Sequence, residues 1–265
     1  MWTAPLQYGP PRLFESLPII TDPVFYALAV PAVLMTGLAK SGFASGFGSL
    51  ATPLLALAVP APQAAAVMLP LLLVMDATGL QQLWRDRDTA LVRRLVPWGV
   101  LGIAVGTLTF GLLSAKAVAG LLGALTLAFL AQRLFFPVKR DAPPLPVWVG
   151  RLCSGTAGFT SFVAHAGGPP LMAYVLPMRL APAVTSATMA VYFAVINAVK
   201  VVPFAGLGLL DTRNLATSVV LLPLAPLGVW MGVWLVRRME PTWFFRLAYV
   251  GMFCAGAKLL WDGVK

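Results

Sequence analysis

The sequence is poor in the residues with which soluble enzymes carry out chemistry. Its 265 residues include one histidine and two cysteines, and only 11% of them are charged. A soluble domain carries about a quarter charged residues, so that class of protein is excluded. The chain also lacks HExxH, GxSxG and paired DxxxD motifs, and a single acidic residue lies deep in an apolar run. An intramembrane enzyme with a metal site or an activated nucleophile is therefore disfavoured.

The positive charge of the chain is not arranged for nucleic acid. The formal net charge is +10 at pH 7, yet the lysines and arginines are scattered between apolar runs. Nucleic-acid-binding proteins instead cluster basic residues on one face or along one helix. We therefore expect no nucleic-acid partner, and we attribute the excess to the bias of cytoplasmic loops in membrane proteins towards lysine and arginine.

What the sequence does have is apolar length. Hydrophobic residues make up 59% of the chain, and they form runs such as 90–115, 117–136 and 183–204. Each run is long enough to cross about 30 Å of hydrocarbon as a helix. The sequence predicts an all-α polytopic membrane protein embedded in a lipid bilayer, and we expect it in the cell inner membrane.

The chain also resembles itself. The stretch PWGVLGIAVG at 97–106 matches PLAPLGVWMG at 223–232, and the Asp-Thr pair that starts at Asp88 matches the pair that starts at Asp211. Further upstream the offset shrinks slightly, which small insertions in loops explain. Internal repeats of this kind are typical of secondary transporters.

The repeat divides the chain into four parts. We expect an N-terminal surface segment at 1–23, a first transmembrane repeat at 24–136, a cytoplasmic linker at 137–146 and a second transmembrane repeat at 147–262. If each repeat crosses the membrane an odd number of times, the repeats are inverted. Most lysines and arginines then lie on the side of the linker, as cytoplasmic loops require. We expect eight to ten transmembrane or re-entrant helical segments, one of them at 214–236.

Each half has a polar break near its start. The breaks read GLAKSGFASGFGSLATP at 37–53 and GTAGFTSFVAHAGGPP at 155–170. Non-helical backbone at membrane depth is tolerated only where protein or water satisfies its polar groups, and the half-helix that follows exposes N–H groups that attract anions. Two inverted breaks therefore predict an anion site between the repeats, near the midplane. The alternative is tight packing through small residues, which we expect for Gly102 and Gly228.

The breaks also carry a family resemblance. The glycine-rich SGFASGFGS of the first half and the Gly-Gly-Pro-Pro of the second, with Asn197 and Lys200 in FAVINAVK, resemble the TauE/SafE-type sulfite exporters, a family of inverted-repeat anion permeases. The resemblance covers nearly the whole chain. It implies transport of sulfite, an organosulfonate, or a related sulfur oxyanion or carboxylate, without a cofactor. It also implies that the site is lined by the helix-break residues Gly42, Gly46, Gly48, Ser49, Pro53, Gly167, Gly168, Pro169 and Pro170.

Polar side chains within the apolar runs complete the candidate site, since a charge there costs about 2.5–3.5 kcal/mol to insert. Asp76 and His165 are the candidates for proton coupling, because a carboxylate in low dielectric takes up a proton readily and imidazole exchanges protons near neutral pH. Both have a purely structural alternative. Lys40 and Lys200 would neutralise an oxyanion, although Lys40 is equally suited to extend to the membrane surface. Asn197 precedes Lys200 on the same helix face.

The sequence thus predicts a secondary transporter of a small anion, with sulfite or an organosulfonate as the first candidates. Proton coupling and alternating access are the expected mechanism. A passive anion channel is the nearer alternative, because the same site would serve it, and an intramembrane transferase is the more distant one. The identity of the anion, the direction of transport and the oligomeric state stay open.

Overall fold

The fold of the chain is described here from a computed structural model. It describes residues 18–40, 47–139, 143–236 and 242–265. The first half contains α1 (Pro23–Leu38), α2 (Ala51–Leu55), α3 (Ala61–Leu83), α4 (Thr89–Leu112) and α5 (Ala115–Phe135). The second half contains α6 (Val147–Ala164), α7 (Gly168–Val175), α8 (Pro182–Gly206), α9 (Thr212–Leu221), α10 (Leu224–Val236) and α11 (Thr242–Val264). Within those ranges there are no strands, so the described architecture is all-α.

The apolar runs at 90–115, 117–136 and 183–204 become α4, α5 and α8. The span predicted at 214–236 is bent, because α9 and α10 meet at an angle of 41°. Pro223 lies at this bend, and proline removes a backbone N–H and clashes with the carbonyl four residues earlier. Its counterpart in the repeat, Pro97, is accommodated inside an unbroken α4. Of the surface segment predicted at 1–23, residues 1–17 lie outside the described residues.

Apolar helices of membrane-spanning length dominate the described chain. The helices α3, α4, α5 and α8 each qualify by length and composition, and α9 with α10 makes a fifth if the bent pair is one span. Large apolar side chains point outward from them, including Leu112 at 86% exposure and Val202 at 75%. Outward apolar surface is what lipid contact requires. The protein is an all-α polytopic membrane protein.

Aspartates at matching positions of the two halves begin matching helices. Asp88 Oδ1 accepts a hydrogen bond from the backbone N–H of Leu91 at 2.9 Å, at the start of α4. Asp211 Oδ1 accepts from the N–H of Asn214 at 2.8 Å, at the start of α9. Such caps satisfy N–H groups that have no partner within the helix, so the aligned aspartates have the same local role.

The two halves pack against each other rather than forming separate bundles. The helices α4 and α6 lie side by side, as do α1 and α10, α5 and α11, and α3 and α8. Glycines permit the closest approaches: a Cβ on Gly102 would lie 1.9 Å from the carbonyl oxygen of Gly155. A Cβ on Gly228 would lie 3.1 Å from the Cα of Leu34, and Gly37 lies beside it. The packing role expected for Gly102 and Gly228 is confirmed.

Polar bonds between the halves fix the position of α3, the helix at the centre of the molecule. Gln63 Nε2 donates to Asn214 Oδ1 at 3.0 Å, and Ser218 Oγ donates to the carbonyl oxygen of Val67 at 2.8 Å. Both partners lie on α9. Buried polar groups that are satisfied in this way specify one arrangement of the helices.

We expect Gly102→Ala to destabilise the protein by about 1–3 kcal/mol, the usual cost of overpacking, because the new methyl group meets backbone that cannot rotate away. The control is Gly206→Ala, where nothing lies within 4 Å of the added carbon. Thermal unfolding in detergent, followed by tryptophan fluorescence, measures both variants. Equal unfolding temperatures for the two would contradict this account of the α4–α6 contact.

Candidate functional site

A cavity of about 180 Å³ lies where the two polar breaks meet. We call it the central cavity. It is enclosed by the end of α1, by α3, by the α6–α7 junction and by α8. The residues that line it are Thr36, Ala39, Lys40, Ser49, Leu72, Met75, Asp76, Gly79, Ser161, His165, Gly168, Pro169, Met172, Thr185, Ser186, Met189, Ala190, Phe193 and Asn197.

The first polar cluster of the cavity is centred on Asp76. One carboxylate oxygen accepts from Lys40 Nζ, and the other accepts from Asn197 Nδ2 at 2.5 Å. Asp76 and Asn197 are 5% and 3% exposed. Both oxygens of the carboxylate therefore have a donor, and the charges of Lys40 and Asp76 cancel. Lys40 faces the cavity through this pair, as a site residue would, rather than extending to the membrane surface.

The second polar cluster surrounds Lys200, which has no exposed surface. Its Nζ donates to the carbonyl oxygen of Ser161 at 2.9 Å and to the Ser161 hydroxyl at 3.1 Å. It also lies 2.7 Å from Nδ1 of His165. Asn197 and Lys200 are one turn apart on α8, so this helix links the two clusters.

His165 ends α6 in a left-handed backbone conformation, with φ 52° and ψ 31°. Its own N–H donates back to the carbonyl oxygen of Ser161, and the N–H of Ala166 donates to that of Thr160. These bonds close the helix end and turn the ring inward. There Nε2 lies 2.9 Å from the carbonyl oxygen of Ala65 on α3. The histidine thus ends the helix and contributes to the wall of the cavity.

The start of α7 offers fewer N–H groups than the sequence interpretation assumed. Its first three residues are Gly168, Pro169 and Pro170, and proline has no N–H to donate. Leu171 N–H already donates to the carbonyl oxygen of Gly167. Of the three residues that open the helix, only Gly168 can donate to an anion. Side chains therefore have to supply most of the donors at this end of the cavity.

Comparison with known proteins gives one result. The family model described as sulfite exporter TauE/SafE matches residues 29–259, which is most of the chain. The chain belongs to the TauE/SafE sulfite exporter family. Comparisons with curated proteins and with solved structures give no match. Membership makes the chain a multi-pass membrane transporter of a small anion, in a family of transporters rather than enzymes.

In this TauE/SafE chain seven of the fourteen predicted site residues line one cavity. Those that line it are Lys40, Ser49, Asp76, His165, Gly168, Pro169 and Asn197. Pro53, Gly167, Pro170 and Lys200 are close in sequence to these residues but do not line it. Gly48 lies in the short 3₁₀ turn before α2, and nothing is described of its surroundings. Gly42 and Gly46 lie outside the described residues.

Four hydroxyl side chains line the cavity of this TauE/SafE protein without having been predicted. They are Thr36, Ser161, Thr185 and Ser186. Ser161 carried a usable signal, because it lies in the second polar break, one helical turn before His165, and Thr36 stands in the same relation to Lys40. Thr36, Thr185 and Ser186 lie in apolar helices, where serine and threonine commonly bond to their own backbone, as Thr36 does to the carbonyl oxygen of Ala32.

A second cavity of about 140 Å³ adjoins the central one. The two share Ser49, Pro169 and Met172 as lining residues. Beyond this shared wall, Arg133 Nε donates to the hydroxyl of Tyr249 at 3.3 Å between α5 and α11. A basic side chain therefore stands in the second cavity of this family member, one wall away from the first.

The ion pair of Lys40 with Asp76 should be strongly coupled. We expect a double-mutant cycle of Lys40→Met and Asp76→Asn to give a coupling energy of about 1–3 kcal/mol, because each single change leaves an unpaired charge in low dielectric. The matched control is the exposed pair of Lys258 with Asp262 on α11, where the same two changes should couple by about 0.3–0.5 kcal/mol. Chemical unfolding in mixed detergent measures both cycles, and equal coupling would sink the prediction.

Proposed function

We propose that the protein is a secondary transporter that binds its anion in the central cavity. Sulfite and small organosulfonates are the first candidate substrates, and the cell inner membrane is the expected location. The observation that carries the proposal is the charge of the cavity. Lys40 is neutralised by Asp76, whereas no carboxylate within the described ranges bonds to Lys200. When Lys200 or His165 carries a proton, the site therefore has an excess of positive charge for an anion to neutralise.

The size of the cavity supports a small substrate. Pockets for drug-sized ligands occupy about 300–1,000 Å³, whereas the central cavity measures about 180 Å³. Its polar groups are hydroxyl, amide, ammonium and imidazole groups on several sides, together with the Asp76 carboxylate that pairs with Lys40, and methionines and Phe193 lie between them. A compact oxyanion with oxygens pointing in different directions suits that distribution of donors better than a long or aromatic anion does.

The contribution of both halves to the cavity supports alternating access. The first half supplies α1 and α3, and the second supplies α6, α7 and α8. We infer that 24–136 and 147–262 are inverted repeats that rock against each other around the anion. The like roles of Asp88 and Asp211 support this inference. The helix contacts support it too: α4 of the first half packs on α6, the first helix of the second half, and α10, which matches α4 in sequence, packs on α1, the first helix of the first half.

A passive channel is the competing proposal, and the second cavity bears on it. A channel needs a continuous watery path, and the two cavities adjoin at Ser49, Pro169 and Met172, which line both. We infer that these three residues separate the anion site from the second cavity in a transporter. Proton coupling through Asp76 or His165 is part of the proposal, since both groups line the cavity.

Filling the cavity should remove anion binding without unfolding the protein. We expect Ala190→Phe, whose ring would occupy the space against the cavity wall, to abolish the thermal stabilisation that sulfite gives the purified protein. The matched control is Ala198→Phe on the same helix, whose side chain is exposed. If sulfite stabilises both variants as it does the parent, the central cavity is not the anion site.

Transport itself is tested in liposomes. We expect sulfite uptake into vesicles that contain the protein to rise when a proton gradient is imposed, and to saturate with sulfite concentration. Vesicles that contain Ala190→Phe are the negative control, and Ala198→Phe the positive one. Uptake that is linear in concentration and indifferent to the gradient would favour the channel over the coupled transporter.

A further inference from the structure

The surroundings of Lys200 determine which proton positions are possible. The ring of His165 has two nitrogens, and Nε2 faces the carbonyl oxygen of Ala65 at 2.9 Å. A carbonyl oxygen only accepts, so Nε2 carries a hydrogen. In the neutral ring Nδ1 is then an acceptor, and it lies 2.7 Å from Lys200 Nζ.

The three acceptors around Lys200 match an ammonium group. They are the carbonyl oxygen of Ser161, its hydroxyl oxygen and Nδ1 of His165. An ammonium has three hydrogens to donate, whereas the neutral amine has two. If the proton moves to Nδ1, the ring becomes the cation and the amine becomes the acceptor. When this pair carries one proton more than its neutral form, Lys200 and His165 hold one positive charge between them, whichever nitrogen carries that proton.

The other charges that face this pair cancel. Asp76 on α3 and Lys40 at the end of α1 are bonded to each other, and on α6 the contacts of Lys200 are to Ser161 and His165. Asn197, the neighbour one turn away on α8, is neutral. Within the described residues, the net charge at the cavity is thus the charge of Lys200 and His165 together. Only His165 of the pair lines the cavity.

We propose that Lys200 and His165 share one proton as a single buried cation, and that this cation selects a monovalent oxyanion. The inference rests on the proposed function and adds to it a charge for the substrate. A monoanion such as hydrogen sulfite or a sulfonate makes the occupied site neutral. A dianion leaves one negative charge in low dielectric, which is strongly unfavourable. Lys200 acts through His165 and is a positioning residue.

The shared proton also links binding to pH. The anion needs the protonated pair. At a pH at which the empty pair is deprotonated, the binding of one anion is therefore accompanied by the uptake of about one proton. Raising the pH deprotonates the empty pair and weakens binding, and lowering the pH restores it. The proton comes from solvent and leaves with the anion, so an electroneutral complex crosses the membrane.

The test uses methanesulfonate, a monoanion whose own charge does not change over the working pH range, and sulfate, a dianion. Calorimetry of the purified parent protein in two buffers of different ionisation enthalpy measures affinity and proton uptake together. We expect methanesulfonate to bind more tightly than sulfate, with affinity falling as pH rises and uptake approaching about one proton per anion. Because these measurements use the parent, they do not depend on whether a variant folds.

Lys200→Met supplies the second arm, since methionine keeps the length of the side chain and removes its charge. We expect methanesulfonate affinity to fall about 10- to 100-fold, the loss of one charge-assisted interaction, and its pH dependence to disappear. Lys258→Met, at an exposed lysine, is the matched control and should behave as the parent does.

The outcomes separate the two proposals. If the parent binds both anions equally and takes up no proton, or if Lys200→Met binds like the parent, the shared cation is refuted while the anion site stands. If the parent binds neither anion nor sulfite, the proposed function itself fails and the shared cation fails with it.

Discussion

The rest of the structure depends on one constraint, which is that hydrocarbon offers no partner to a polar group. A broken helix or a charged side chain in a membrane segment persists only where the protein satisfies it. The chain meets this requirement by placing its breaks together. The carboxylate of Asp76 then bonds to Lys40 and Asn197, and the side-chain nitrogen of Lys200 bonds to Ser161 and His165. The polar groups that a membrane penalises one by one are stable here as a group.

The same constraint explains which helices carry the buried polar side chains and which expose apolar ones. The helices α4, α5 and α11 expose apolar side chains, and glycines bring their backbones close to their partners, as between Gly123 and Leu260. The helices α3 and α8 pack against each other and bury Asp76, Asn197 and Lys200. A site for an anion can therefore have a low dielectric and still be polar, which strengthens every interaction within it.

Much of the fold could be predicted, because helix length, proline position and glycine spacing act locally. The positions of α3, α5 and α8 follow from the length of their apolar runs, and the position of α7 follows from the helix break at Gly-Gly-Pro-Pro. The break at Pro223 could not be predicted, since its repeat partner Pro97 lies within a continuous helix. Whether a proline bends or ends a helix depends on the packing around it, and that information is not local.

The sequence by itself determined that the chain is a polytopic membrane protein, that two polar segments interrupt its apolar runs, and that a few polar residues are candidates for the site. Composition and periodicity suffice for this because hydrophobicity and proline act at the residue itself. Only the tertiary structure decided that Lys40 pairs with Asp76, that Lys200 lies behind the cavity wall, and that His165 faces both Lys200 and α3. These pairings join residues 35 to 100 positions apart. They depend on how separate helices pack, both within each half and between the halves, which the pattern of one segment does not encode.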